Sequence, residues 1–404
     1  MGLITNVKVV VTCPGRNYVL VKVETDDGLY GWGDATLNGR ELAPATLIEQ
    51  HLAPLLLGMD ADRIEDIHQY LKRGSYWRGG PIQMTAIAGI DMALWDIKGK
   101  RAGMPVYSLL GGQSRAGALA YSHASGRDYQ EVEENIRRLM ERGFKVIRAQ
   151  VALAGAGLRG TYGVGYSERE EAKRQGLPME EVWEPGPYLR SVPRLFDYLR
   201  SVLPEELELF HDVHERLTPI EAARLGKELE PYHLLFLEDA LRPEHRESFR
   251  LIRQHTTTPL AMGELYFNTY DCLPVITEQL IDYIRCDLGH VGGISEARKI
   301  AAIAEPYAVK TAWHGPGDIG PIVHAANVHL DYFVPNFGVQ EVVFFDEKVQ
   351  EVVTGGPTFA DGYLHVSDAP GLGTDVDEAK AAQYPYQRAY LPTTRRLDGS
   401  VHDW

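Results

Sequence analysis

Residues 207–214 read LELFHDVH, residues 233–240 read HLLFLEDA and residues 258–265 read TPLAMGEL. In each stretch a carboxylate closes an apolar run, and these carboxylates (Asp212, Glu238 and Glu264) follow one another at steps of 26 residues. Apolar runs bounded by turn or helix sequence are typical of buried strands in a parallel sheet. A (β/α) barrel repeats about every 31 residues, so this step fits three successive units with short loops.

Carboxylates at neighbouring strand ends would share one rim of the barrel, because parallel strands lie about 4.8 Å apart. Three like charges this close repel, so the sequence predicts a cation among Asp212, Glu238 and Glu264. All-oxygen ligands favour a hard ion, and a rim with room for water and a substrate carboxylate suits Mg2+ better than Ca2+ or zinc. Taken alone, each acid is better explained as a helix N-cap or a solvated loop residue, but the equal spacing of the three favours the metal site.

The rest of the chain predicts a second, smaller domain beside the barrel. Residues 3–34 alternate as in an antiparallel sheet with a turn at Asp27-Gly28, and helical patterns follow at 42–57, 63–72 and 85–100. We expect an α+β capping domain at 1–115, a modified TIM-type (β/α) barrel at 116–358, and a C-terminal segment at 359–404 that packs back on the cap and active site. The expected barrel strands lie near 118–123, 145–151, 207–212, 233–238, 259–264, 281–287, 309–314 and 338–342.

Composition narrows the classes of partner. The 404 residues carry a formal net charge of −15, which disfavours nucleic acid and anionic membranes as partners. The three cysteines lack metal-type spacing, and we find neither a signal-peptide pattern nor an apolar run of 18 residues. A cytoplasmic enzyme acting on a small molecule is therefore expected, with local positive charge if that molecule is an anion.

A long connection from 154 to 187 follows the second barrel strand, and loops beyond about 15 residues are often active-site loops. The alternative is a tolerated surface insertion. Arg148 ends that strand and Tyr162 lies on the connection. Because a guanidinium favours the phenolate, Arg148 with Tyr162 is a candidate base; alone, Tyr162 is more typical of a packed aromatic.

Histidines and further charged residues fall at the other strand ends. His214 follows Asp212 by two residues, so a strand continued that far would place both side chains on one face and make His214 a general acid. The alternative is a histidine that caps the helix beginning near Thr218. Other residues expected at the rim are Arg285, Asp287, His314 and Glu341, with Asn38 and His123 reaching a polyol substrate from the cap loop and the first strand.

Several long motifs resemble the enolase superfamily and, within it, the mannonate dehydratases, over nearly the whole chain. The resemblance implies an enolase-like barrel, a homo-oligomer and Mg2+-dependent conversion of D-mannonate to 2-keto-3-deoxy-D-gluconate. The motifs are HDVHERLTPIEAARLGKELEPY (211–232), LFLEDALRPEHRESFRLIRQHTTTPLAMGE (235–264), QLIDYIR (279–285), VPNFGVQE (334–341), AAQYPYQRAYLP (381–392) and DGSVHDW (398–404).

The same resemblance assigns residues to roles. It implies metal ligation by Asp212, Glu238 and Glu264, a base pair of Tyr162 with Arg148, and His214 as the acid. Substrate contacts are implied for Asn38, His123, Arg285, His314, Asp318, Glu341 and Trp404.

Two departures leave alternatives open. Arg148 and Gln150 stand where mandelate racemase relatives have a lysine pair, and Asp287 with His314 looks like the His and Asp base dyad of other sugar-acid dehydratases. The proton-transfer pair is therefore either Tyr162 with His214 or His314 with Asp287. D-gluconate or another aldonate is an alternative substrate, and a regulatory protein that keeps the scaffold with negligible turnover is a third possibility.

Overall fold

In the computed structural model, which describes residues 2–152 and 180–403, the chain begins with an antiparallel meander. Its strands are β1 (Ile4–Thr12), β2 (Tyr18–Thr25) and β3 (Tyr30–Asp34), paired in the order β1-β2-β3. Gly28 sits in the β2–β3 turn with a φ of 81°, a left-handed conformation that suits glycine. The alternating sequence thus forms the predicted sheet.

Helices cover one face of this sheet. Gly89 of the long helix α4 (Pro81–Ala102) packs against the sheet, and a Cβ at this position would lie 2.9 Å from Ala35 Cβ. The cap helices are α1 (Leu42–Leu47), α2 (Ala53–Leu56), α3 (Ile64–Arg73), α4 (Pro81–Ala102) and α5 (Val106–Leu110), with a π-helical turn at Ile48–Leu52.

Eight parallel strands then form a closed barrel. The strands are β4 (Ala118–Gly126), β5 (Val146–Val151), β6 (Glu180–Val182, outside the barrel), β7 (Glu208–Asp212), β8 (Leu237–Glu238), β9 (Leu260–Met262), β10 (Tyr283–Ile284), β11 (Lys310–Thr311) and β12 (Gln340–Glu341). Their order in the barrel is β11-β10-β9-β8-β7-β5-β4-β12, and a bridge between Thr311 and Phe337, just before β12, joins the two ends of this order.

Several of these strands are shorter than the apolar runs that predict them. Pairing begins before the regular strand, because Leu235 N donates to Leu209 O at 2.8 Å although β8 starts at Leu237. The helices that follow the strands are α6 (Tyr129–Glu141), α7 (Pro185–Val202), α8 (Pro219–Leu229), α9 (Phe249–His255), α10 (Thr269–Thr277), α11 (Leu288–Val291), α12 (Ile294–Ala304) and α13 (Pro321–Phe333). Short 3-10 turns lie at Glu230–Tyr232, Pro243–Ser248 and Glu305–Tyr307.

The C-terminal residues return to the cap and to the barrel rim. Thr12 Oγ1 donates to Ala381 O at 2.9 Å, and Cys13 N donates to Tyr384 O at 2.8 Å. The last strand pairs in parallel with β6. The elements of this segment are α14 (Glu347–Val352), β13 (Val353–Gly355), β14 (Thr358–Ala360), β15 (Tyr363–His365), β16 (Thr374–Val376), α15 (Glu378–Ala381) and β17 (Thr393–Arg395).

The predicted fold class is confirmed: a (β/α) barrel with an α+β cap that the C-terminal segment completes. The domain boundaries at 115 and 358 stay a prediction. Across the described residues, every helix is too short or too polar to cross a bilayer.

Candidate active site

The barrel interior has an apolar layer below a charged layer. On most strands an apolar residue that points inward is followed two residues later by a polar one, because strand side chains alternate between faces. The apolar layer contains Tyr121, Val146, Phe210, Phe236, Ala261, Tyr283, Ala312 and Val339. The residues two positions later are His123, Arg148, Asp212, Glu238, Gly263, Arg285, His314 and Glu341.

Arg148 lies between two members of the charged layer. Its Nη1 donates to Asp212 Oδ2 at 2.8 Å, and its Nη2 lies 3.0 Å from His123 Nδ1. A guanidinium only donates, so Nδ1 of His123 must accept and its Nε2 carries the proton. Burial and the charge of Arg148 lower the pKa of His123 to about 4, which keeps this imidazole neutral.

Glu341 and Arg285 extend the chain of contacts that begins with Asp212, Arg148 and His123. Glu341 Oε1 lies 2.6 Å from His123 Nε2, and its Oε2 accepts from Arg285 Nη2 at 3.1 Å and from Gly315 N at 2.9 Å. Arg285 Nε lies 2.5 Å from Glu238 Oε1, an ion-pair contact without hydrogen-bond alignment. Arg285 is fully buried and its guanidinium is a counter-ion to Glu238 and Glu341, while its predicted contact with the substrate stays a prediction.

Six side chains form a ring of contacts: Asp212, Arg148, His123, Glu341, Arg285 and Glu238. At one joint of this ring, two like charges are neighbours. Asp212 and Glu238 are direct partners across β7 and β8, so two carboxylates adjoin where every other joint pairs opposite or neutral groups. Asp212 Oδ1 and Glu238 Oε2 accept no hydrogen bond from any described residue. Burial, against the opposing charge of Arg148, raises the pKa of Asp212 to about 6, and burial likewise raises the pKa of Glu238 to about 8 against Arg285.

The third predicted ligand stands above this joint. Glu238 pairs with Ala261, so Glu264 lies three residues beyond the matching position, past Gly263 with its φ of 145°. A Cβ on Gly263 would come within 3.1 Å of Arg285 N, so the close approach favours glycine there. Equal spacing along the chain therefore does not give equal height at the rim.

His214 reaches Glu264 by a different route from the one predicted. β7 ends at Asp212, and the chain then turns through His214 and Glu215, both left-handed with φ near 60°. Such residues are strained when they are not glycine, and such strain is often found at functional sites. The turn places His214 Nε2 3.5 Å from Glu264 Oε1, while Thr218 caps the next helix through Glu221.

The residues present fit a divalent cation. Two groups among the described residues have ligand atoms within 4.8 Å of one another: Asp212 with Glu238 and Asp239, and His214 with Glu215 and Glu264. The three predicted ligands thus divide between two adjacent groups. The acceptors left without donors at the Asp212–Glu238 joint are the groups that a hard cation would neutralise.

Glu215 and Asp239 are the members of these groups that sequence reasoning missed. Both are buried, and burial together with the charge of Glu264 raises the pKa of each carboxyl well above its usual range. Asp239 also has a left-handed φ of 40°. Their one sequence signal was a second acid within three residues of a predicted ligand.

His314 lies on the other side of Glu264. Its Nδ1 lies 2.7 Å from Asp287 Oδ2, and its Nε2 lies 3.4 Å from Glu264 Oε2. Burial disfavours the charged imidazole, but the two carboxylates outweigh it and raise the pKa of His314 to about 10. Despite burial, His290 and His314 lower the pKa of Asp287. The structure therefore forms the predicted His314–Asp287 pair.

Asn38 and Asp318 meet at the junction of cap and barrel, where Asn38 Nδ2 donates to Asp318 Oδ2 at 2.9 Å. Tyr162 and Trp404 lie outside the described residues. The segment just before Trp404 is held at the rim: His402 Nε2 lies 3.1 Å from Arg216 O, and Asp403 pairs with Arg242.

Known proteins share this architecture and much of this sequence. Residues 6–111 match the mandelate racemase / muconate lactonizing enzyme N-terminal domain, and residues 131–380 match the enolase C-terminal domain-like family. A D-mannonate dehydratase of Caulobacter sp. (strain K31) is 51% identical over 402 residues, 99% of each chain. The D-galactonate dehydratase family member RspA of Cellvibrio japonicus (strain Ueda107) is 50% identical over 402 residues, 99% of this chain and 100% of the relative.

A solved structure extends the likeness to the whole fold. The crystal structure of an enolase from Pantoea ananatis, with bound D-gluconate and Mg, has a TM-score of 0.93 at 45% identity and covers 100% of both chains. This chain therefore belongs to the enolase superfamily, among the relatives of the D-mannonate and D-galactonate dehydratase families.

Proposed function

We propose that this protein is a Mg2+-dependent hydro-lyase that converts D-mannonate to 2-keto-3-deoxy-D-gluconate. The reaction class, dehydration of a sugar acid, is that of the relatives at about half identity over the full chain. D-Mannonate is the substrate in the names of several of those relatives. The observation that carries the proposal is the carboxylate joint of Asp212 and Glu238, with Glu264 above it and a histidine beside each Glu264 oxygen.

Asp212, Glu238 and Glu264 would hold the metal. Bound Mg2+ draws the substrate carboxylate to the site and stabilises the negative charge that develops as the neighbouring C2–H bond breaks. Arg148 fixes Asp212 from the opposite side through its 2.8 Å hydrogen bond, so this ligand is oriented before the ion binds.

His214 and His314 supply proton-transfer groups on the two sides of Glu264. Their Nε2 atoms lie 3.5 and 3.4 Å from the two oxygens of Glu264, so each would face a substrate held beside this carboxylate. We assign His214 as the acid that protonates the departing C3 hydroxyl. The base that removes the C2 proton is Tyr162 in the D-mannonate reaction, with Arg148 favouring its phenolate.

A second candidate substrate, D-gluconate, is favoured by the 2.7 Å His314–Asp287 pair and by the Pantoea ananatis relative with bound D-gluconate. D-Mannonate and D-gluconate differ only in configuration at C2, and loss of water from either gives the same product. Because the C2 proton projects from opposite faces in the two epimers, each requires a base on its own side. We therefore pair Tyr162 with D-mannonate and His314 with D-gluconate.

Substrate contacts complete the proposal. Asn38 and Asp318 already meet across the cap and barrel, and His123 and Glu341 line the same charged layer, so these groups would bind the polyol chain. Arg285 acts indirectly, by holding Glu238 and Glu341. Trp404, which follows the tail held by Asp403 and Arg242, would contact the substrate.

The test is 2-keto-acid formation from a panel of aldonates with Mg2+, using Tyr162→Phe and His314→Asn variants. We expect wild-type turnover of D-mannonate, its loss in Tyr162→Phe, and retained Mg2+ and substrate binding in that variant. Turnover of D-gluconate that His314→Asn abolishes and Tyr162→Phe spares would support the second candidate. No product from any aldonate would overturn both and support a non-catalytic regulatory role.

A further inference from the structure

Asp287 has a second histidine neighbour, which the proposed chemistry does not use. On one side its Oδ2 lies 2.7 Å from His314 Nδ1, and on the other the same oxygen lies 3.9 Å from His290 Nε2. We propose that His290, held by Thr85 of the cap, is a positioning residue that fixes Asp287 and, through it, His314. His290 and Thr85 belong neither to the carboxylate groups nor to the expected substrate contacts.

The ring of His290 is held by the cap helix. Its Nδ1 lies 2.9 Å from the hydroxyl of Thr85, a fully buried residue on α4. With Nδ1 accepting from that hydroxyl, the ring proton is on Nε2, the nitrogen that faces Asp287. The cap thereby determines which edge of His290 is turned toward the dyad.

The carboxylate of Asp287 has little freedom left. Its Oδ1 accepts from Gly289 N at 2.7 Å, within its own turn, and its Oδ2 serves His314. At 3.9 Å His290 is beyond hydrogen-bond distance, so it acts on Oδ2 through the dipole of its Nε2–H group and through packing. If the ring of His290 turned away, Oδ2 would lose the group that keeps it directed at His314.

A plain structural role is the competing explanation, because α4 makes other contacts with the barrel. Trp95 Nε1, on the same helix, donates to Ser295 Oγ at 3.0 Å. Thr85 and Ser295 are both fully buried, and each provides one side-chain hydrogen bond between cap and barrel. Ser295→Ala is therefore a matched control that weakens the cap–barrel interface away from the dyad.

The first readout needs no substrate. A short hydrogen bond between His314 Nδ1 and Asp287 gives a low-field imidazole N–H proton resonance, which His314→Asn identifies by its loss. In the full-length Mg2+-loaded protein we expect Thr85→Val and His290→Leu to shift or broaden this resonance. Thr85→Ser, which keeps the hydroxyl, should retain it, and so should Ser295→Ala. An unchanged resonance in folded Thr85→Val and His290→Leu would overturn the proposal.

Turnover gives the second readout, which rests on the proposed function. Substituting a residue that orients a reacting group without touching the substrate typically lowers activity by roughly 10- to 100-fold. We expect Thr85→Val and His290→Leu to lower kcat for the aldonate that uses His314 by this factor, with KM and Mg2+ affinity unchanged. The double variant should be no worse than His290→Leu, because both act through one contact.

The two readouts separate two kinds of failure. A changed resonance with unchanged kcat on every aldonate would support the positioning role and count against His314 in the proposed function. Equal losses of kcat in Ser295→Ala and Thr85→Val would assign the effect to the interface as a whole and overturn the proposal.

Discussion

Two groups of charged residues at the barrel rim differ in how their buried charges are placed. The paired arc, made of Arg148, His123, Glu341 and Arg285, joins each side chain to a neighbour at 2.6 to 3.1 Å. The acidic arc, made of Asp212, Glu215, Glu238, Asp239 and Glu264, brings carboxylates together and leaves acceptors without donors among the described residues.

The carboxyl pKa values differ between the two arcs in the same way. Although burial opposes it, contacts with His123 and Arg285 hold the pKa of Glu341 well below its usual range. Burial raises the pKa of every carboxyl of the acidic arc. A buried charge is tolerated when it is paired and is costly when it is not. The paired arc therefore has its counter-charges within the chain, whereas the acidic arc has an excess of buried carboxylates that a bound cation would neutralise.

Removing a ligand from the acidic arc should have the largest effect. Glu264→Gln keeps the shape of the side chain but removes a charge that faces both histidines and that we propose as a metal ligand. We expect kcat/KM to fall at least about 10³-fold, or about 4 kcal/mol of transition-state stabilisation, with weaker Mg2+ binding by calorimetry. EDTA should abolish wild-type turnover, and added Mg2+ should restore it.

The matched control is Glu296→Gln, which neutralises a carboxylate of similar burial outside the rim. Glu296 pairs with Lys72 at 2.6 Å. This variant should lose stability and keep its Mg2+ affinity. If both variants kept wild-type turnover and Mg2+ affinity, the acidic arc would not be a metal site.

Breaking the paired arc should affect stability more than metal binding. Arg285→Met leaves Glu238 and Glu341 buried without their guanidinium partner. Losing one partner of a buried ion pair costs about 3–5 kcal/mol of unfolding free energy, measured here by urea denaturation with saturating Mg2+. Arg250→Met is the control, since its pair with Glu278 is open to solvent and should contribute little to stability. Equal losses in the two variants would contradict the difference between the arcs.

The sequence predicted the barrel because the strands repeat a visible pattern. Phe210 with Asp212, Phe236 with Glu238 and Val339 with Glu341 each place an apolar residue below a charged one, as strand alternation requires. The ring around the interior was not predictable, because it depends on which strands become neighbours when the barrel closes.

The turn after β7 shows where the local pattern failed. Extending the strand would have placed His214 beside Asp212, but two left-handed residues end the strand and lift His214 to Glu264. Histidine and glutamate rarely adopt this conformation, so sequence alone gives no warning of it. Glu215 was missed for the same reason. His314 and Asp287 were found because each ends a predicted strand, although each lies three residues past the regular strand in the structure.

The acidic arc should also reveal itself in the pH dependence of the metal-free protein. The pKa of Asp212 is about 6 in the folded chain against 3.8 ordinarily, so the folded state binds the proton more tightly. Its stabilising contribution is present below about pH 4 and is lost as pH rises through 6, on the order of 3 kcal/mol. Urea unfolding in EDTA from pH 5 to 7 should show this decline.

Two comparisons isolate the origin of that slope. Saturating Mg2+ should remove it, because the ion requires the ionised carboxylates and releases their protons. Asp212→Asn should reduce the decline in EDTA by the share of Asp212, while the other carboxyls of the acidic arc keep the rest. A metal-free stability that is constant or rises over this range would mean that the carboxylates of the acidic arc are compensated within the chain, as those of the paired arc are.

The smallest expected effect is that of a change at the start of α8, which should lower stability without moving the carboxylates of the acidic arc. Thr218 and Glu221 form a capping box on α8, and Thr218→Ala should cost about 1 kcal/mol in urea denaturation. The turn that carries His214 and Glu215 is held by backbone bonds, Val213 N to Glu238 O at 2.9 Å and Glu215 N to Asp239 O at 2.6 Å. Because those bonds do not involve Thr218, Mg2+ affinity and kcat should stay within about twofold of wild type. A larger change in Mg2+ affinity would mean that the start of α8, and not the neighbouring strand, fixes the position of these ligands.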